Sequence, residues 1–193
     1  MVTVSTSLAK ERSYHHGDLR SALIQGGLNA LESAPIEELS LRALAREVGV
    51  SATAVYRHFP DKAALLTALA AEGIEQLGQY QLKAAEQAGP ERAFGATGRA
   101  YVRWALAHPA LFRLIFSRVE PVGETVFGQS LAARLLQGAA SEASRGDEAR
   151  ARQLVVQAWS LVHGLAMLML DGQLPPDDDL IDRVIDPRTL FPG

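Results

Sequence analysis

Apolar residues recur at three- and four-residue spacing along most of the chain and nowhere settle into the two-residue alternation of a strand, so the pattern predicts helices only. The first runs from Asp18 to Ser33. Leu19, Leu23, Gly27, Ala30 and Leu31, with Ile24 and Leu28 alongside, form one face, Asp18 supplies an acidic start and Ala34-Pro35 ends it. Gly26-Gly27 would cost about 1 kcal/mol each against alanine in an exposed helix, so close packing is expected at one of them at least. Next, Ser40 is an N-cap candidate, Leu41, Leu44, Ala45 and Val48 share a face, and Gly49 stands where a helix stops in a left-handed conformation. Ser51 offers a second N-cap, after which Val55 and Phe59 recur at helical spacing. Two short helices thus meet across Gly49-Val50-Ser51, with the small Ala45 where they cross. That is the signature of a helix-turn-helix, and the first helix would cover its apolar side. Val48, Val50, Val55 and Phe59 are assigned to its core.

Pro60-Asp61-Lys62 is a stop followed by a new cap, and a long helix is expected from Ala63 to about Glu86, with Leu65, Leu66, Leu69, Ile74 and Leu77 as its apolar set. Gly89-Pro90 marks a boundary. Beyond it, helices are predicted over Pro90 to His108, over the short apolar stretch that starts at Pro109, from Pro121-Val122-Gly123 to about Ser144 with Val126, Phe127, Leu131, Leu135 and Leu136, and from Glu148 to Leu170. A last short helix holds Leu180, Ile181, Val184 and Ile185. The expected fold is all-α: an N-terminal three-helix helix-turn-helix domain (1–62), a connecting helix (63–88) and a C-terminal helical bundle (89–193).

Composition narrows the function classes. At 193 residues and 48% hydrophobic the chain can bury a substantial core. The absence of cysteine removes disulfides, thiolate zinc sites and cysteine nucleophiles and is compatible with a reducing cytoplasm, the expected location. Residues 1–8 lack the basic start and apolar run of an export signal. The uncharged window from Gln153 to Leu170 approaches membrane-spanning length, yet Gln153, Gln157, Ser160, His163 and Gly164 interrupt it, so a buried helix is expected and no membrane partner. His15-His16 suggests metal only superficially, because adjacent residues do not share a helical face; no metal or cofactor is expected. An enzyme would need a convergent acid/base set; the acidic run Asp177 to Asp179 lies beside Pro175-Pro176 and reads as a solvated cap.

The net charge of −3 weighs against a nucleic-acid binder, but its distribution softens the objection. Residues 1–70 carry seven basic side chains (Lys10, Arg12, Arg20, Arg42, Arg46, Arg57, Lys62) against seven acidic, so this third is neutral and would bind through placed contacts. Thr53, Tyr56, Arg57 and His58 on the second short helix are residue types that hydrogen-bond to bases and phosphates. Lys62 sits in the next helix's first turn, where free backbone N–H groups can join it in holding a phosphate. The polar arm Lys10 to His16 is either an extension touching DNA or a frayed terminus.

The stretch from Gly49 to Leu69, GVSATAVYRHFPDKAALLTAL, with the preceding SYHHGDLRSALIQGGLNALE and LSLRALAREV, resembles the helix-turn-helix of the TetR family of bacterial transcriptional regulators. The resemblance implies phosphate contacts from Tyr56, His58 and Lys62 and base-edge contacts from Arg42, Thr53 and Arg57; Ser40 and Ser51, at the starts of the two short helices, complete the DNA-binding set. Ala52 stands where the family often has a long polar residue, which limits readout there to an apolar contact. Trp159-Ser160-Leu161-Val162-His163-Gly164 resembles the WHG-type C-terminal domain of part of this family, with valine directly before the histidine.

The implied function is a regulator that binds a palindromic operator in double-stranded DNA as a homodimer and is released by a small, apolar effector. Phe94, Tyr101, Trp104, Phe112 and Phe116, together with Trp159 and His163, are the candidate lining of the effector pocket, with ordinary core packing the alternative for each. The helix around His163 is apolar over most of its circumference, and pairing with its copy in a second subunit would cover it. Activation in place of repression, and a helical adaptor for protein partners, are the competing readings.

Overall fold

The computed structural model describes residues 16–117 and 128–186. Among them the chain forms α1 (His16–Ser33), α2 (Leu41–Val48), α3 (Ala52–His58), α4 (Lys62–Ala88), α5 (Ala93–Ala107), α6 (Pro109–Phe116), α7 (Leu131–Ala143), α8 (Glu148–Leu170) and α9 (Asp178–Val184), with no strand. The all-α expectation is met. The arm through residue 15, and Val126 and Phe127, lie outside the described residues.

The helix-turn-helix begins and ends where its side chains dictate. Ser40, in extended backbone, accepts from the Ala43 N–H at 3.1 Å, and Ser51 accepts from the Ala54 N–H at 3.2 Å. Gly49 adopts φ 77°, and the N–H groups of Gly49 and Val50 return to the carbonyls of Arg46 and Ala45 at 3.3 and 2.9 Å. This is the left-handed closure that turns the chain out of α2 and into α3. Leu44, Ala45, Val55 and Phe59 are buried; Val48 and Val50 pack on the same core from half-buried positions. Gly26 and Gly27 of α1 are both close-packed: a Cβ on Gly26 would lie 2.8 Å from Leu44 Cδ1, and one on Gly27 would lie 2.9 Å from Leu69 Cδ2.

α4 starts on the Asp61 cap, whose carboxylate accepts from the Ala64 N–H at 2.8 Å. At 27 residues it is about 40 Å long at 1.5 Å per residue. Its first half buries Leu65 and Leu69 with α1, and its second half buries Ile74 and Leu77 in a four-helix ring. In that ring α4 packs on α5, α5 on α8, α8 on α7, and α7 back on α4. α6 lies across α4 and also touches α1. α9 is held against α5 by Arg103, which donates to Asp178 at 2.7 Å and to Asp182 at 2.9 Å. The acidic run therefore divides its work: Asp177 caps α9 through the Leu180 N–H, and Asp178 is paired.

Three expectations shift. The helix anticipated soon after Pro121 begins at Leu131, because Ser130 in extended backbone caps it by accepting from the Ala133 N–H at 3.1 Å. The helix anticipated from Pro90 begins at Ala93, because Gly89 at φ 76° turns the chain and Pro90–Arg92 forms a single 3-10 turn. The uncharged window is not a buried helix within this chain: by length and composition alone α8 is long and apolar enough to cross a membrane, yet only 33% of that window is buried. Leu154, Ala158, Val162, Leu165, Ala166 and Met169 face inward, while Val156 and Leu168 are 60% and 45% exposed.

The approach of α7 to α4 gives a paired prediction. A Cβ on Gly78 would lie 2.8 Å from Leu131 Cβ and 2.9 Å from the backbone N of Ala132, whereas one on Gly138 would meet nothing within 4 Å. Gly78→Ala is expected to lower the unfolding free energy by about 1–3 kcal/mol. Gly138→Ala is expected to raise it, by up to about 1 kcal/mol through helix propensity. Urea denaturation of both variants checks the pair, and equal shifts would refute the close contact.

Candidate functional site

Two regions carry chemistry. At one end of the molecule Ser40, Arg42, Ser51, Thr53 and Arg57 are exposed along α2 and α3, and Tyr56 is 44% exposed. His58, the last residue of α3, and Lys62 are half-buried. Both cap serines spend an oxygen lone pair on the helix and keep a hydroxyl proton to donate. Phe59 closes α3 from inside, with the Arg20 guanidinium 5.4 Å from its ring centroid. Lys62 differs from its expected role in one respect: its ammonium donates to the Glu37 carbonyl at 3.0 Å, tying the start of α4 to the α1–α2 loop. Two of its protons stay available, but the Asp61 carboxylate already occupies part of the α4 N-terminus that was to share the phosphate.

The second region is a cleft at the centre of the four-helix ring. Gln81 of α4, Phe94, Thr97, Gly98 and Tyr101 of α5, Trp159 and Val162 of α8, and Ile185 beyond α9 line it, and about 40 Å³ is open. Ligand pockets run from about 300 Å³ upward, so occupancy by anything larger than a few waters requires the helices to part. Of the anticipated lining, Phe94, Tyr101 and Trp159 are in place. Phe112, Phe116 and His163 stand beside the cleft as an aromatic cluster, with Tyr101 meeting Phe112 edge-on at 5.5 Å between centroids and Phe116 lying 4.9 Å from His163. Trp104 is buried against His108, 4.9 Å between centroids, apart from the cleft. Sequence reasoning missed Gln81, although the signal was there: it follows Ile74 and Leu77 on the apolar stripe of α4. It is 7% exposed.

Comparison with known proteins agrees with this architecture. Residues 23–69 match the bacterial regulatory proteins of the tetR family, and residues 94–187 match a tetracyclin repressor-like C-terminal domain. A protein of unknown function from Rhodococcus sp. RHA1 is 33% identical in sequence, with 95% of this chain and 98% of that one superposed at a TM-score of 0.77. A tetR-family transcriptional regulator from Streptomyces coelicolor shares the fold at 23% identity and a TM-score of 0.66, over 88% of this chain and 78% of that one. Nucleoid occlusion factor SlmA from Marinomonas sp. (strain MWYL1) is 44% identical over 52 residues, 27% of this chain and 26% of that protein, so the likeness spans about a quarter of its length.

Within the aromatic cluster the Tyr101 hydroxyl and His163 Nδ1 are 2.9 Å apart, and Trp159 Nε1–H donates to the same hydroxyl at 3.4 Å. The tyrosine oxygen accepts from Trp159, and the direction of its bond to Nδ1 follows the imidazole tautomer: with the ring proton on Nε2 the tyrosine donates, with it on Nδ1 the tyrosine accepts. Burial pushes the Tyr101 pKa up and the His163 pKa down. For a base whose folded pKa is depressed, the unfolded chain binds more protons between the two pKa values. His163 therefore contributes stability that is complete above its ordinary value of 6.5 and is lost as pH falls through its lower folded value. An NMR titration is expected to place the His163 midpoint below 6.5, and His163→Gln to flatten the decline in thermal stability on acidification. A midpoint at or above the ordinary value would refute the assignment.

Proposed function

This chain belongs to the TetR family of bacterial transcriptional regulators, which are DNA-binding proteins, and on that premise we propose that it is a repressor that binds a palindromic operator as a dimer and lets go when a small apolar molecule enters the cleft. One observation carries the reading: α4 belongs to both regions. Its first residue, Lys62, adjoins the exposed face of α2 and α3, and Gln81 of the same helix lines the cleft about 28 Å further along, at 1.5 Å per residue. A ligand that parts α5, α7 and α8 from α4 moves a rigid element whose far end carries the DNA-binding unit. A second connection runs from Tyr101 through Phe112 to α6, which packs on α1.

In this reading residues 1–62 bind DNA, 63–88 connect, and 89–193 take the ligand and dimerise. Arg42, Thr53 and Arg57 read base edges. Ser40, Ser51, Tyr56, His58 and Lys62 hold phosphates, Lys62 with only part of its hydrogen-bonding capacity. The outward face of α8, with Val156 and Leu168 exposed and open space over Gly164, supports pairing with a second copy. A two-fold pair sets its two α3 helices in successive major grooves, about 34 Å apart. Release then requires the ligand to prefer the other separation, with a coupling of about 1–3 kcal/mol.

Two measurements test this. In fluorescence anisotropy on the DNA upstream of the protein's own gene, Arg57→Ala is expected to weaken specific binding by about 1–3 kcal/mol, a 5- to 150-fold loss, while affinity for unrelated DNA changes little. Unchanged specific affinity would remove Arg57 from the interface. In sedimentation, Val156→Glu with Leu168→Glu is expected to convert dimer to monomer and to weaken operator binding with it. A dimer that persists through both changes would place the pairing elsewhere.

A further inference from the structure

Gln81 is the one side chain among the described residues with a fully buried polar atom that has no partner: its Oε1 receives no hydrogen bond. The orientation of the amide is not arbitrary. Its Nε2 donates to the Thr97 carbonyl at 3.0 Å, and turning the amide over would set two acceptors against each other. The other polar groups at the cleft are occupied. The Thr97 hydroxyl donates to the Phe94 carbonyl at 2.7 Å, and the Tyr101 hydroxyl accepts from Trp159 and is paired with His163 Nδ1 at 2.9 Å. The described lining holds no charged side chain, and Arg99, near it on α5, is turned to the Ile185 carbonyl and Asp182. An acceptor left unsatisfied in an apolar cleft is costly to the empty protein and is relieved by any occupant that brings a donor.

We propose that the effector is an uncharged, largely apolar molecule bearing a hydroxyl or N–H group, and that it gives this proton to Gln81 Oε1. The inference rests on the reading of this cleft as the effector site. A carboxylate is disfavoured twice over, since it brings a second acceptor to Oε1 and finds no cation to pair with. A pure hydrocarbon fits the walls but leaves Oε1 as it was. A donor does both, and it does so on α4, the helix shared with the DNA-binding unit.

Three probes of one carbon skeleton separate these cases: thymol, which has the hydroxyl, p-cymene, which lacks it, and cuminate, which lacks it and carries a carboxylate in place of the ring methyl. Calorimetric titration of the full chain is expected to show thymol binding about tenfold or more tighter than p-cymene, and cuminate weakest. Gln81→Met and Gln81→Leu both remove the acceptor while keeping an apolar side chain, so either one that folds serves. Each is expected to abolish the preference by weakening thymol while p-cymene holds or tightens. A preference for thymol that survives in the variants, tightest binding of cuminate, or no binding of either neutral probe to the unmodified chain would overturn the inference. Anisotropy on operator DNA keeps the two readings apart. Release by p-cymene and by thymol at equal concentrations, in the unmodified chain and the variants alike, upholds ligand release and overturns the role of Gln81. Thymol binding that depends on Gln81 but leaves DNA affinity unmoved upholds the role of Gln81 and overturns ligand release.

Discussion

At Gly73 and Gly78 two other helices reach the backbone of α4: a Cβ at the first would meet Leu111 of α6 at 2.8 Å, and one at the second would meet the backbone N of Ala132 at 2.9 Å. These approaches make α4 the member that α1, α5, α6 and α7 all lean on. α1 closes on its first half through Gly27 and Leu69, α6 and α7 close on its middle, and α5 runs along its second half. Because interiors are packed to crystal-like density, a helix held this closely on several sides moves as a rigid body or not at all. In the proposed function, a change in spacing between α4 and its neighbours at the cleft would be carried along the helix to Asp61 and Lys62. The tie from Lys62 to the Glu37 carbonyl extends the same rigidity into the α1–α2 loop.

Local chemistry made much of this legible in advance. Ser40, Gly49, Ser51 and Asp61 each act on backbone groups within a few residues, so the boundaries of α2, α3 and the start of α4 follow from residue identity alone. Gly26-Gly27 likewise announced a close contact by being poor helix formers in the middle of a helix. What was not legible depends on partners far apart in sequence. Trp104 and Tyr101 are both aromatic on α5, three residues apart, yet one is enclosed beside His108 and the other lines the cleft. Only the placement of α8 decides between them. Asp178 is solvated as expected, with 76% of its side chain exposed, but its pairing with Arg103, seventy-five residues earlier, was not in view. The start of α7 was misplaced because apolar residues before Ser130 extended the helical pattern past its cap.

The cleft itself illustrates how polar groups are distributed in this core. Tyr101, His163 and Trp159 are linked by hydrogen bonds through the tyrosine hydroxyl, and burial shifts both titrating members toward their neutral forms. Satisfied networks of this kind rigidify the wall they belong to. Gln81 is the opposite case: one end of its amide is anchored to α5 and the other is left open. The α5–α8 wall is thus set by internal hydrogen bonds, whereas the α4 side keeps an unmet acceptor, and that asymmetry makes α4 the wall with something to gain when the cleft is filled.

The same economy governs the DNA-binding end. With seven basic and seven acidic side chains in residues 1–70, a single unit has no general positive field to hold it on a duplex, so its affinity rests on a few placed contacts. In the proposed dimer the second unit, once the first is bound, acts at high local concentration, and weak half-site contacts combine into tight binding only while both helices fit their grooves together. Neutrality thereby makes the separation between the two units matter more than it would in a strongly basic protein, where non-specific attraction would mask a misfit. On the proposed reading, a uniformly basic surface would tolerate the shift that a buried ligand imposes through α4, whereas this one, with discrimination resting on Arg42, Thr53 and Arg57, would convert a small change in spacing into loss of the complex.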